Sequence, residues 1–139
     1  MAFQTFNSIR GHRVQIDVLR QICSAQQPAH GYLFEGPQGV GKQAVAWALA
    51  ARLACVTATG AEPACGDCRS CHALQRGEHP DITLLTRDGA NIKIAQVREA
   101  TRRLRFEPVL GRAKIVVVED ADRLREEAAN ALLKTLEEP

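Results

Sequence analysis

The sequence predicts an α/β fold, a parallel sheet flanked by helices, on three observations. Gly36-Pro37-Gln38-Gly39-Val40-Gly41-Lys42 completes the spacing G-x-x-x-x-G-K between the apolar run Tyr32-Leu33-Phe34 and a long apolar segment, Ala44 to Ala54. That is the strand, glycine loop and helix order of a P-loop. Ile115-Val116-Val117-Val118, entered from Lys114, is a continuous β-branched run, as in a strand buried on both faces. Strand-like runs starting at 32, 82 and 114 are separated by helical patterns, the alternation that builds a parallel sheet.

Each element has its own signal. Val14, Val18, Leu19 and Ile22 predict an amphipathic helix over 13–22, entered through a turn at Gly11-His12. Cys23, at the end of that stripe, reads as a small core residue. Residues 24–31, with Pro28, read as a connecting loop, and Tyr32 to Glu35 as a short strand. The segment 44–54 is apolar nearly all round, so it predicts a helix covered on more than one side. Residues 56–79 form a polar excursion rich in Gly and Cys. Ile82 to Thr86 returns as a strand entered through Pro80-Asp81, and residues 87–90 turn the chain. Ile94, Val97, Thr101 and Leu104 predict a helix ended by Pro108 and Gly111. Asp122 reads as the N-cap of a last helix carrying Leu124, Ala128, Leu132 and Leu136. Three strands make a small sheet, so the chain reads as a fragment with an open edge, prone to self-association.

Composition bounds the function. The chain has 139 residues, enough for one compact domain, with 45% apolar and 24% charged residues. A net charge of +2 is too small to attract nucleic acid in bulk, so any such contact must come from a local cluster. No apolar run approaches the roughly 20 residues of a membrane span, and Met1 to Thr5 has no secretory pattern. A cytoplasmic location and no membrane partner are expected.

In a P-loop, backbone N–H groups at Gly36, Gly39, Val40 and Gly41 would converge on a phosphate, with the helix N-terminus behind them. Lys42 would reach the β- and γ-phosphates. The next residue, Gln43, stands where a Ser or Thr hydroxyl would hold magnesium. Glu119 and Asp120 follow the strand at 114–118 as a degenerate acidic pair: ATPases of this type usually place Asp before Glu. The reversed order displaces each carboxylate by about one methylene, and errors near 1 Å cost on the order of a hundredfold in rate. ATP or ADP binding is left open, magnesium is disfavoured, and the acids equally read as a strand end and a helix cap.

Cys55, Cys65, Cys68 and Cys71 form a C-x9-C-x-x-C-x-x-C set. Four thiolates close a tetrahedral zinc site with no open position, a structural rather than a catalytic metal. An iron–sulfur cluster is the alternative, although such runs usually place the fourth cysteine close by; free thiols are the other. His72 reads as a bystander.

The combination of the phosphate loop, this cysteine set, His79-Pro80-Asp81, a basic helix and the string Ala129-Asn130-Ala131-Leu132-Leu133-Lys134-Thr135-Leu136-Glu137-Glu138-Pro139 resembles the bacterial DNA polymerase III clamp-loader subunits of the AAA+ superfamily. The resemblance covers essentially the whole chain. Two types share it. The ATP-hydrolysing gamma/tau type usually opens with Arg-Lys-Tyr-Arg-Pro, has Thr after the loop lysine and carries Asp-Glu at the acidic site; none of these is present. His79-Pro80-Asp81, and Glu119-Asp120-Ala121-Asp122 followed by Ala128-Ala129-Asn130, are similar to the delta-prime type.

The resemblance implies that residues 1–139 are the N-terminal part of a AAA+ (RecA-like) P-loop domain, with 55–79 as an inserted zinc module. Lid and collar domains, and a Ser-Arg-Cys motif offered to a neighbour's ATP site, would lie beyond Pro139. It implies a place among gamma/tau and delta subunits that load the sliding clamp onto primed DNA. Arg98, Arg102 and Arg105, at i, i+4 and i+7, are expected on one helix face, turned to DNA phosphates or to solvent.

Overall fold

The computed structural model describes residues 3–25 and 30–137; residues 26–29 of the expected loop, and Glu138 and Pro139, lie outside them. The order of elements is α1 (Arg13–Ser24), α2 (Lys42–Ala54), α3 (Arg69–Gln75), β1 (Ile82–Leu85), α4 (Ile94–Arg103), β2 (Ile115–Val118) and α5 (Glu126–Glu137), with short 3-10 turns at Phe6–Ser8 and Ala121–Arg123. The fold is mixed α/β with a small parallel sheet, Ile82 opposite Ile115 through Leu85 opposite Val118. No helix among the described residues is long and apolar enough to cross a membrane.

The pleat sorts the sheet's side chains. Leu85, Val116 and Val118 share one face and pack with Ile92, Val97, Ala100 and Ala128 under α4 and α5. On the other face α2 packs on β2, where Val117 is buried. Leu84, the partner of Val117 on that face, is 44% exposed. The expectation of burial on both faces was made for β2, and it is met in part: Val117 is buried, while Ile115, Val116 and Val118 are half-buried.

The third expected strand is absent. Residues 32–35 have no regular assignment, and the sheet among the described residues holds only β1 and β2. Their apolar signal is spent on packing instead: Tyr32 and Phe34 lie against a cluster of Phe6, Ile16, Leu19, Cys23, Val45 and Leu49. Cys23 is a core residue there, as expected.

Two boundaries also differ. Helix α1 buries Ile16, Leu19 and Cys23 and leaves Val14 72% and Val18 50% exposed. Both stripes have helical spacing; the one facing Phe6 and α2 is buried. Asp122 is not the cap of the last helix. Ile92 N–H donates to Arg123 O at 3.0 Å and Leu124 bridges Ile92, which keeps 122–124 out of the helix until Glu126.

Candidate metal centre and phosphate loop

The four cysteines come together from three places in the chain. Cys55 caps the C-terminus of α2, Cys65 lies in the loop that follows, and Cys68 and Cys71 stand at the start of α3. This helix went unread in the sequence, where the excursion looked wholly irregular. Its N-cap is Cys68, whose sulfur accepts from Cys71 N–H at 3.4 Å.

All four Sγ atoms lie within 4.8 Å of one another, with Cys55–Cys68 at 3.9 Å and Cys65–Cys71 at 4.0 Å. Tetrahedral zinc with Zn–S bonds of about 2.3 Å would put sulfurs roughly 3.8 Å apart, so the donor set fits that ion. Backbone amides already point at the sulfurs. Ala58 N–H donates to Cys55 at 3.4 Å, and Asp67 N–H and Cys68 N–H donate to Cys65 at 3.3 and 3.2 Å.

Burial raises the Cys68 thiol, but amides from Cys71 and Val56 outweigh it and bring it down to about 6. Burial, and then the neighbouring thiolates of Cys68 and Cys55, push Cys71 far up. A cluster that favours some thiolates while repelling the last one has the charge balance that suits a cation, whose binding would displace the remaining proton. His72 pairs with Asp67 at 3.5 Å and stays out of the cluster.

The surroundings brace the knuckle. Arg52, buried on α2, donates to Glu62 O at 2.7 Å and Gly60 O at 3.0 Å. Behind α3, Ser70 Oγ and His79 Nε2 are 2.7 Å apart, and His79 Nδ1 accepts from Asp81 N–H at 3.1 Å. The Nδ1 acceptance leaves the ring proton on Nε2, so the imidazole donates to the hydroxyl and is no base for it.

Asp81 is 1% exposed. Its carboxylate accepts from Val109 N–H at 2.7 Å, Leu110 N–H at 2.8 Å and Gly111 N–H at 2.7 Å, and pairs with Lys114 at 3.3 Å. Burial opposes the charge, but these donors prevail and hold Asp81 at about 2. The sequence offered Asp81 only as a strand entry; the His79-Pro80-Asp81 string was the signal for more.

The phosphate loop has the backbone its glycines allow. Gly39 (φ 84°) and Gly41 (φ 98°) adopt left-handed conformations that other residues avoid. Helix α2 starts at Lys42 with Gly41 as a cap that has no side chain to offer. Lys42 Nζ donates to Gly36 O at 2.9 Å, folding back on the loop itself. His12 Nε2 lies 2.6 Å from Val40 O. The sequence showed Gly11-His12 only as a turn, and His12 is a loop contact that spacing could not reveal. Gln43 is exposed on the first turn of α2.

The acids do not meet the loop. Glu119 Oε1 accepts from Trp47 Nε1 at 3.4 Å, while Asp120 is exposed at a left-handed φ of 56°. No hydrogen bond or ion pair among the described residues joins either acid to Lys42 or Gln43. The arginine stripe is also broken. Helix α4 ends at Arg103, so Arg105 lies in the turn beyond it. Arg102 is paired with Glu99 at 2.8 Å and sits 5.9 Å above the Phe106 ring.

Comparison with known proteins places these features. The family model described as "DNA polymerase III, delta subunit" matches residues 11–139. The delta' subunit of DNA polymerase III from Pseudomonas aeruginosa is 42% identical over 121 residues, covering 86% of this chain and 37% of that protein. The Escherichia coli delta' subunit is 45% identical over 112 residues, 79% of this chain and 33% of the relative. The tau/gamma subunit of Haemophilus influenzae is 36% identical over 137 residues, 98% of this chain and 20% of the relative. The chain thus spans about a third of the length of its delta' relatives and about a fifth of its tau/gamma relatives. With its match running from Gly11 through the phosphate loop, the cysteine knuckle and both strands to Pro139, the chain belongs to the DNA polymerase III delta-subunit family.

Proposed function

We propose that this chain is the N-terminal AAA+ (RecA-like) part of a delta-prime subunit of a cytoplasmic DNA polymerase III clamp loader, and that it positions its neighbours rather than hydrolysing ATP. In this reading it joins gamma/tau and delta subunits, and meets the sliding clamp only through that complex. Lid and collar domains belong to the longer protein. Cys55, Cys65, Cys68 and Cys71 hold a structural zinc ion. Gly36, Gly39, Val40, Gly41 and Lys42 keep a phosphate cradle able to take ATP or ADP. One observation supports the absence of hydrolysis above the others: Lys42 is folded onto Gly36 O, Gln43 follows it, and Glu119 is engaged by Trp47. Neither a hydroxyl nor a free acid pair stands ready for magnesium.

The full-length subunit is expected to turn over ATP at least about a hundredfold more slowly than a competent clamp-loader ATPase, the scale set by displaced catalytic groups. Magnesium-dependent turnover by the isolated subunit would instead support the gamma/tau reading, which the match over 98% of this chain keeps in view.

Arg98 and Arg105, both exposed, and Arg102 extend the reading to primer-template DNA. Arg102 is partly neutralised by Glu99, so Arg98 and Arg105 carry most of that contact. In the assembled clamp loader, replacing all three by alanine should weaken DNA binding and flatten the salt slope by about two. An unchanged slope assigns the helix face to solvent or to a neighbouring subunit.

A further inference from the structure

We propose that the cysteine knuckle is a metal-dependent strut for strand β2, fastened through Arg112, Ser70 and Asp81, so that metal occupancy sets the pose of the strand that ends in Glu119 and Asp120. The inference rests on the structural-zinc reading above and concerns what the metal does for the rest of the fold.

The loop entering β2 is tied to the knuckle from both sides. Arg112 N–H donates to Ala54 O, the residue before Cys55, at 3.1 Å. The Arg112 guanidinium donates to Val56 O at 3.0 Å and Ala58 O at 3.1 Å, just after Cys55. From α3, Arg69 Nε donates to Leu110 O at 3.1 Å. Its neighbour Ser70 reaches His79, which in turn accepts from Asp81 N–H. Asp81 then holds the amides of 109–111, and its own carbonyl accepts from Ile115 N–H at 2.9 Å, the first rung of the sheet.

The fit is close. A Cβ at Gly111 would lie 2.9 Å from Ala54 O and 3.1 Å from both Ser70 Oγ and His79 Cε1. Gly111 therefore packs directly against the end of α2, the start of α3 and the His79 ring, where a side chain would not fit.

The fully buried part of the knuckle's cluster is made of small side chains, Ala51, Cys55, Ala58, Ala64 and Cys71, with Phe3, Cys68 and Leu74 partly buried against it. So small an apolar cluster cannot fix the Val56, Ala58, Arg69 and Ser70 anchors by burial alone. A cation bridging the four sulfurs would fix them, and β2 would inherit their positions. At the far end of β2, Glu119 meets Trp47, the one tryptophan of the chain. Trp47 is thus a built-in reporter, about two turns before Cys55 on α2 and in contact with the end of β2.

The test strips this chain of metal under reducing conditions and titrates it with zinc chloride, following metal stoichiometry, Trp47 emission and amide exchange together. One equivalent of zinc should shift the Trp47 emission and slow exchange of the 109–119 amides by at least about tenfold. The Ser70→Ala, Arg112→Ala double variant keeps all four sulfurs, so it should take up the same equivalent, yet lose most of the slowing at 115–119 and most of the Trp47 shift. Either single variant, each of which removes only part of the fastening, should fall between. A full response in the double variant would overturn the strut. So would zinc uptake by the unaltered chain with no change at Trp47 or 109–119. Failure to take up zinc at all overturns the metal reading itself, and the stoichiometry separates that failure from the others.

Discussion

Asp81→Ala is expected to destabilise this chain by about 3–5 kcal/mol, the scale on which a buried ion pair loses one partner. The cost has two parts. Three backbone amides, Val109, Leu110 and Gly111, lose their acceptor at once, and buried donors left unmade cost on the order of 1–3 kcal/mol each before relaxation. Lys114, largely buried beside the carboxylate, keeps a charge without a partner. Asp81→Asn keeps the shape and one acceptor and should cost less, about 2 kcal/mol.

The same residue predicts the acid limb of the stability curve. Its carboxyl is held at about 2 against an ordinary 3.8, so the folded state binds that proton less readily than the unfolded chain. Stability from Asp81 is therefore complete above about pH 4 and is lost as pH falls through about 2, amounting to roughly 2 kcal/mol. His79 adds an earlier loss: burial lowers it below 6.5, so stability begins to fall as pH drops through that value. Denaturant midpoints across pH would check both. The Asn variant should flatten the limb between pH 4 and 2, and an unaltered limb would remove Asp81 from its assigned place.

What the sequence made legible is instructive because the failures share a cause. The glycine loop, the cysteine set, the helix expected over 44–54 and the start of the helix at Ile94 were readable because their signals are local: fixed spacings, a continuous apolar run and a period of 3.6. The second helix ends at Arg103, ahead of the stop expected at Pro108 and Gly111. Errors arose wherever a partner far along the chain decides the outcome. Val14 and Val18 have the same helical spacing as Ile16, Leu19 and Cys23, and only the position of Phe6 and α2 chooses between the stripes. Tyr32 to Glu35 has the composition of a strand, but a strand exists by ladder pairing, and the sheet among the described residues is made of β1 and β2 alone. Asp122 is a good cap by composition; a bridge between Leu124 and Ile92, some thirty residues apart, overrides it.

The candidate site divides in the same way. Spacing identified the four sulfurs, and the structure brings them together. Spacing could not show that Glu119 is taken by Trp47, that Lys42 bends back to Gly36, or that Asp81 organises the loop before β2. Those are contacts between residues 6, 30 or 72 positions apart, with no periodic trace in the sequence.

Loss of one buried sulfur is the other change of large effect. Cys71→Ser should abolish tight zinc binding, since changes merely behind the ligands of a metal cost 10–100-fold in affinity (roughly) and this one removes a ligand. Cys71 is buried on α3 with its sulfur 4.0 Å from Cys65, and a serine oxygen is both shorter in reach and a poorer partner for zinc. If the site holds zinc as proposed, zinc at about 1,000 times its Kd would stabilise the folded state by about 4 kcal/mol, and the variant would forfeit it. For a domain of this size the melting midpoint should fall by roughly 10 °C. Cys23→Ser is the control: Cys23 is also buried but stands in the α1–α2 core, so its replacement should cost about 1 kcal/mol and leave zinc uptake as in the unaltered chain.

Protons supply an independent check. Cys68 is held at about 6 and enters the site as thiolate at neutral pH, whereas Cys71 is pushed far up by burial and by its thiolate neighbours. On the proposed zinc reading, metal would displace a proton from Cys71, and affinity should rise with pH. Calorimetry in buffers of different ionisation enthalpy would count the protons released. A melting midpoint and zinc stoichiometry unmoved by Cys71→Ser would take the metal out of the knuckle, and a broad visible absorption in the loaded protein would replace zinc with iron and sulfide.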